Sequence, residues 1–397
     1  MRTSTLSNFL QGVRAMQRLQ SDLSNTQLQV TSGRRILKAS DDPLGAAATL
    51  GFRESLARLA QFDRNANLAK TRLEYEETAL SSVTNSLQRI RELTLQALNS
   101  TETPESRAQI GLEMSERVTE LVQIANQKDG KGRYLFAGSV DGTEPVSVTN
   151  NSFVYNGDDG KRLIQIGDAR QIYDGDAGSD VFFNIRNGNG TFRVNSDTAN
   201  TGTGIVKTTA LLDSSLYDQA PYTVRFVAPD TYEVLDASNA VVSTGPYTSG
   251  EAIQFRGISV TIEGGAEAGD EFAVEPSGFQ SAFETVSRMA NALEARPAGS
   301  VGNAQLITTL NNGLQELDLA LDRIGSVRTE IGIRLNAIES QVDSNGGAAL
   351  LTEQAISEIE DLDYAEALSR LSQQSAILEA SQQSFVLTQR LSLFQFL

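Results

Sequence analysis

The chain has no cysteine, no histidine and no tryptophan in 397 residues. Without cysteine there are no disulfides, thiolate nucleophiles or thiolate metal sites. Without histidine there is neither an imidazole base nor an imidazole ligand. An enzyme would have to work with carboxylates, lysine, tyrosine, serine and threonine. The expectation is a non-enzyme without metal or cofactor. Basic charge is also short, 33 Lys+Arg against 50 Asp+Glu for a net −17, which argues against nucleic acid as a partner. No apolar run is long enough to span a bilayer, so no membrane role is expected. Met1-Arg2-Thr3-Ser4-Thr5 lacks the apolar core and cleavage site of a secretory signal, which taken alone points to the cytoplasm.

Charge is unevenly spread. Residues 1–44 carry 6 Lys+Arg against 3 Asp+Glu (+3), and residues 350–397 carry 2 against 7 (−5). Residues 168–278 carry 6 against 16 (−10), an excess that keeps an exposed domain soluble. The two ends are thus of opposite sign, as helices meant to pair would be.

Residues 5–33 read as a helix, with Phe9, Val13, Met16, Leu23 and Val30 at helical spacing and Gly33 as its stop. Ser40-Asp41-Asp42-Pro43 is a start signal, a capping side chain before a first-turn proline. The helix it opens runs to about residue 100. Leu59, Ala66, Leu73, Leu80, Leu87 and Thr94 step by sevens, with Phe62, Ala69, Glu76, Val83, Ile90 and Ala97 three residues behind. Thr103-Pro104 starts a third helix, to about Lys128.

At Gly132 the character changes. Residues 133–138 read as a strand, and residues 152–155, 156–160 and 162–166 as a hairpin. Residues 168–278 are rich in Gly, Thr, Asp and Val. Strands are expected at 181–185, 191–194, 222–227, 232–235 and 258–262. Helical periodicity returns at Phe279. Leu310, Leu314, Leu317, Leu321, Ile324, Ile331, Leu335, Ile338 and Val342 form a second seam, and Ser344-Asn345-Gly346-Gly347 reads as a hinge.

The last stretch organises the rest. Residues 356–394 contain no Gly or Pro, so one helix of about ten turns is allowed. Leu371, Leu378, Phe385 and Leu393 share one face, while Ile377, Ala380, Leu387, Leu391 and Phe394 lie on the opposite one. Two apolar faces mean cover on both sides, either within the chain's own core or by other subunits. No other segment near the ends is long enough to cover a second face.

The expected fold is α+β: a helical coiled-coil rod built from both chain ends with an inserted, mostly-β domain. Residues 44–167 plus 279–346 form the rod, 168–278 the β insert, and 1–43 plus 347–397 the terminal helices. Asp174-Gly175-Asp176 has the look of a Ca²⁺ loop without its twelfth-position glutamate, and a plain turn is expected. Glu74-Tyr75-Glu76-Glu77 and Glu358-Ile359-Glu360-Asp361 read as solvated faces. Arg34, Arg35 and Lys38 read as an anion site or, better, a loop at a subunit contact.

Leu28-Gln29-Val30-Thr31-Ser32-Gly33-Arg34-Arg35-Ile36, followed by Ser40-Asp41-Asp42-Pro43 and Ala46-Ala47-Ala48, is similar to the N-terminal signature of the flagellin superfamily. Ile359-Glu360-Asp361-Leu362-Asp363-Tyr364-Ala365 with Leu378-Glu379-Ala380-Ser381 is similar to its C-terminal one. The resemblance covers both ends and not the middle. Within the superfamily the chain is most similar to the hook–filament junction branch. Three stretches carry this: residues 132–139, Phe153-Val154-Tyr155-Asn156-Gly157-Asp158, and the ending at residues 391–397.

The resemblance implies a structural adaptor, secreted through the flagellar type III export channel without a cleaved signal. It would join the first hook-associated protein to flagellin as a ring of its own copies. An export chaperone would hold the C-terminal helix, and the terminal helices would stay disordered until assembly. Leu6, Leu10, Val13, Leu371, Leu378, Phe385, Leu387 and Leu391 are the expected apolar contacts. Arg14 and Arg18 would face acidic neighbours such as Glu366 or Glu379. The alternatives are a filament-forming flagellin that self-polymerises, or a rod carrying an enzyme or carbohydrate-binding module in the β insert.

Overall fold

Residues spaced by seven in the first half of the chain lie along one buried edge of a long helix. In the computed structural model the described residues are 2–149 and 152–394, excepting the side chains of residues 2–6, 8 and 388–394. Six helices occur among them: α1 (Arg2–Ser32), α2 (Pro43–Ala97), α3 (Pro104–Ala125), α4 (Ala282–Glu294), α5 (Gly299–Glu360) and α6 (Tyr364–Phe394). Every seam position of α2 from Phe62 to Ala97 is buried, as are Leu310, Leu317, Ile324, Ile331 and Ile338 of α5. Burying each such leucine or isoleucine contributes about 1.5–3 kcal/mol.

The two long helices run antiparallel. Asp63 meets Asn345 at 3.1 Å, Glu77 meets Arg328 at 2.6 Å and Arg91 meets Asp318 at 2.8 Å, so positions rise on α2 as they fall on α5. The expected caps are in place. Asp42 accepts from Gly45 N–H at 2.9 Å, and Thr103 accepts from Ser106 N–H at 3.2 Å.

The chain divides into two units, residues 1–64 with 340–397 and residues 65–339. In the first, α1 packs on α6; in the second, α3 packs on α4. The second unit also holds the strands. Short pairs come first: β1 (Val146–Thr149) with β2 (Ser152–Tyr155), and β3 (Leu163–Gln165) with β4 (Gln171–Tyr173). After β5 (Ile185–Arg186) come β6 (Phe192–Ser196), β7 (Ile205–Leu211), β8 (Tyr222–Ala228), β9 (Thr231–Asp236) and β10 (Val241–Pro246). Then follow β11 (Ala252–Phe255), β12 (Ile258–Glu263), β13 (Glu271–Pro276) and β14 (Phe279–Gln280), the last pairing with β5. Strands β10-β9-β8-β13-β6 form a five-stranded sheet and β11-β12-β7 a three-stranded one. Their facing residues, among them Phe192, Val224, Phe226, Val260, Ile262 and Phe272, make one sandwich core.

Several expectations are corrected. Residues 133–138 form no strand beyond an isolated bridge of Tyr134 to Lys128. Leu135, Phe136 and Ala137 are buried in succession instead of alternately, and the Arg72 guanidinium takes the carbonyls of Tyr134 and Leu135 at 3.0 and 3.2 Å. The 152–166 hairpin is absent, since β2 pairs backward with β1 and β3 forward with β4. Asp158 commits the intervening turn elsewhere: its N–H donates to Ala137 C=O, and its carboxylate accepts from Ser139 N–H at 2.6 Å. Most of the 181–185 stretch is a π-helical turn, Ser179–Phe183, in which Val181 and Phe182 are both buried and Phe182 and Phe183 pack on Phe283.

The glycine hinge is not there either. Residues 344–347 lie inside α5, where a glycine costs about 1 kcal/mol against alanine; Gly346 and Gly347 are exposed, while Asn345 beside them is buried and donates to Asp63 at 3.1 Å. Glu76 is no solvated residue: it is 1% exposed and its Oε1 accepts from Asp176 N–H at 3.1 Å. Asp174 pairs with Arg162 and Asp176 with Lys161 and Arg334, so the acidic turn is closed by cations of the chain itself.

Candidate assembly surface

The helix at each end of the chain is set off by a break, and the two breaks are tied together. Gly33 ends α1 at a φ of +70°, and a Cβ there would stand 2.8 Å from the Tyr364 hydroxyl. Gly33 C=O accepts from Leu362 N–H at 3.0 Å, Arg35 N–H donates to Glu360 C=O at 2.6 Å, and Arg34 bridges Asp361. The Arg35 guanidinium donates to Ile359 C=O at 2.7 and 3.1 Å and lies 3.4 Å from Asp42. Arg53 holds the Glu360 carboxylate with 2.7 Å contacts to both oxygens. Asp363 then caps α6, accepting from Ala365 N–H at 2.9 Å. The Arg35 guanidinium is thus spent on its own chain instead of an outside anion, while Arg34 engages Asp361 through its backbone. The single helix expected over residues 356–394 is therefore corrected: it is broken at residues 361–363, where no Gly or Pro marks the break in the sequence, because these partners make it.

Beyond the clasp, α1 and α6 lie side by side. Phe9 and Phe385 have ring centroids 5.3 Å apart, and Gly12 leaves room for the Phe385 ring, which a Cβ would approach to 3.3 Å. Val13, Met16, Leu19, Leu23, Leu371, Leu378 and Phe385 are half-buried between the helices. The opposite side of α6 is bare: Ile377 is 42% and Leu387 60% exposed, with Ala380 also exposed.

The structure therefore brings Val13, Leu371, Leu378 and Phe385 together and leaves Leu10 and Leu387 in solvent. The side chains of Leu6 and Leu391 lie outside the described residues. Arg14 and Arg18 are exposed and make no ion pair among the described residues, while Glu366 pairs with Arg370 of its own helix. Leu44, Leu50, Leu350 and Leu351 are also exposed, Leu44 at 83%. They stand out of step with the two buried seams, and that mismatch is the signal that marks them in the sequence. No group of three or more acidic side chains able to hold a metal occurs among the described residues.

Residues 3–141 match the bacterial flagellin N-terminal helical region and residues 314–397 its C-terminal helical region. Residues 195–276 match the D2-like domain of flagellar hook-associated protein 1. The chain is 25% identical to flagellar hook-associated protein 3 of Escherichia coli over 100% of its own length and 99% of that protein's. It is 32% identical to FlgL of Xanthomonas campestris, over 77% of this chain and 99% of that one, with a TM-score of 0.74. The flagellar junction protein FlgL of Legionella pneumophila is 30% identical, over 79% of this chain and 100% of that one, with a TM-score of 0.72.

Proposed function

We propose that this chain, which belongs to the flagellar hook-associated protein 3 family, is a structural adaptor that joins the hook to the flagellin filament. The observation that carries the reading is the pair of faces on α6. The inner face is covered by α1, and Ile377, Ala380 and Leu387 present an apolar stripe with no cover in the monomer. Apolar stripes of this kind mark interaction surfaces.

Copies of the chain close a ring through the terminal helices. The first hook-associated protein lies on one side of it and flagellin on the other. Before assembly an export chaperone covers the bare face of α6, and the terminal helices gain full order only when neighbouring subunits cover them. With one neighbour each, α1 and α6 bury too little apolar surface to offset the entropy of ordering them alone. The relatives are structural proteins of the flagellum, and the chain acts there without catalysis.

A second reading, a self-polymerising flagellin, is favoured by the match of both chain ends to flagellin helical regions. Seeded assembly separates the two. Purified monomer is added to hook fragments and to short filament seeds, and length is followed by electron microscopy. The adaptor reading expects binding that saturates as a short cap and lets flagellin add afterwards. Unlimited growth of the protein on itself sinks it.

A further inference from the structure

Within the unit of residues 65–339, one face of α5 is polar where a core helix should be apolar. Thr308, Asn312 and Glu316 step by four along it and are 3%, 3% and 0% exposed. A buried carboxylate and a buried amide are expensive unless each finds partners. Their partners lie at the open side of the sandwich, on β6, on β7 and in the turn before β6. Asn312 Nδ2 donates to Val194 C=O at 2.7 Å, and Asn311 Nδ2 donates to Val206 C=O at 2.9 Å. Thr308 Oγ1 accepts from Val206 N–H at 3.1 Å. The helix thus satisfies backbone groups of one edge strand of each sheet.

Glu316 sits at the end of this stripe and binds in two directions. Oε1 accepts from Gly188 N–H at 3.2 Å and lies 3.8 Å from Arg193 Nε, both on the sandwich side. Oε2 accepts from Thr285 Oγ1 at 3.2 Å and from the Arg288 guanidinium, both on α4. The same stretch of α5 is clamped from behind, because Gly313 faces Met289 so closely that a Cβ would fall 2.2 Å from its sulfur. Arg193 and Arg288 each keep an Nε without a hydrogen-bond partner, so the carboxylate between them balances two cations.

We infer that Glu316 is the positioning residue that fixes the direction of the β sandwich against α4 and α5, making it a rigid arm of this unit instead of a module on a flexible tether. The carboxylate, carried on α5, contacts both the sandwich side and α4. Its loss leaves two guanidiniums facing each other and removes the acceptor of the Gly188 amide. The inference does not depend on the assembly reading.

The absence of cysteine makes the test direct. Glu116→Cys on α3 and Thr248→Cys beyond β10, both exposed, are spin-labelled in the full chain and their distance distribution is measured. The parent is expected to give a single narrow distribution. E316Q, which keeps the shape and removes the charge, is expected to broaden it at least twofold while circular dichroism still shows a cooperative melt. A parent distribution that is itself broad, or an E316Q distribution as narrow as the parent's, overturns the inference. Where E316Q fails to fold, Arg193→Gln removes only the cation on the sandwich side and must broaden the distribution; a narrow one there overturns it equally.

Discussion

Glu76 is a charged residue in a position that the seven-residue seam reserves for apolar ones. Burial pushes its carboxyl well above the ordinary 4.5, and the charge of Asp176 adds to this; Arg334, the Asp176 N–H and Arg72 offset it only in part. Because the folded value lies above the unfolded one, the native state holds a proton that the unfolded chain releases. The associated stability is fully present below the ordinary glutamate range and is lost as pH rises through the folded value. The chain has no histidine, the side chain whose ordinary range falls between pH 5 and 8. The melting temperature is therefore expected to fall from pH 5 to pH 8 in the native chain and to stay level in Glu76→Gln. At pH 8 the variant gains on the order of 1 kcal/mol, as expected for relief of one buried charge. Melts that run parallel in the two proteins would remove Glu76 as the cause. The sequence shows Glu76 at a seam position but not its burial, which depends on Asp176, 100 residues away.

At the scale of elements, the helices were legible because their signals are local: seams of sevens, Asp42 before Pro43, Thr103 before Pro104, Gly33 after α1. What was not legible is whatever depends on a distant partner. The α5–α6 break is set by Gly33, Arg34 and Arg35, more than 300 residues away, while two glycines that look like a hinge stay helical. Strand partners failed for the same reason, since Asp158 spends its turn on Ala137 and Ser139.

The two faces of α6 give a paired prediction. Phe385→Ala removes the ring tilted against Phe9 and packed on Gly12, and is expected to destabilise the α1–α6 pair by about 1–3 kcal/mol, less than a full core truncation. Faster amide exchange along both helices is the readout. Leu387→Ser, on the bare face, is expected to leave that exchange unchanged and to lower seeded assembly at least tenfold. Equal effects of the two on exchange would mean that the faces are not distinct. Gly33→Ala belongs to the same element. The strained φ costs about 1 kcal/mol and the Tyr364 hydroxyl must move, so the protected Leu362 amide is expected to exchange faster. Unchanged protection at Leu362 would show that the clasp tolerates a methyl group.

At the scale of the whole chain, residues 1–64 with 340–397 and residues 65–339 form two compact units, and the two are expected to hold their stability separately. The second unit contains nearly all of the large fully buried side chains, from Leu73 to Phe283. The first holds the α1–α6 pair, the start of α2 and the end of α5, joined by the clasp. Because α5 continues to Glu360, a cut in the glycine-bearing stretch would sever a helix, whereas a cut before Tyr364 falls at a true break. Removing residues 364–397 is therefore expected to leave the main melting transition within a few degrees of the intact chain. Helical signal should fall by more than the 31 residues of α6 alone, because α1 loses the helix it packs on and with it most of the reason to stay ordered. Assembly on hook fragments should vanish. Calorimetry and far-ultraviolet circular dichroism on the truncated chain decide it. A main transition that disappears with α6 would mean that the ends stabilise residues 65–339, and the loss of assembly could then no longer be assigned to the bare face of α6.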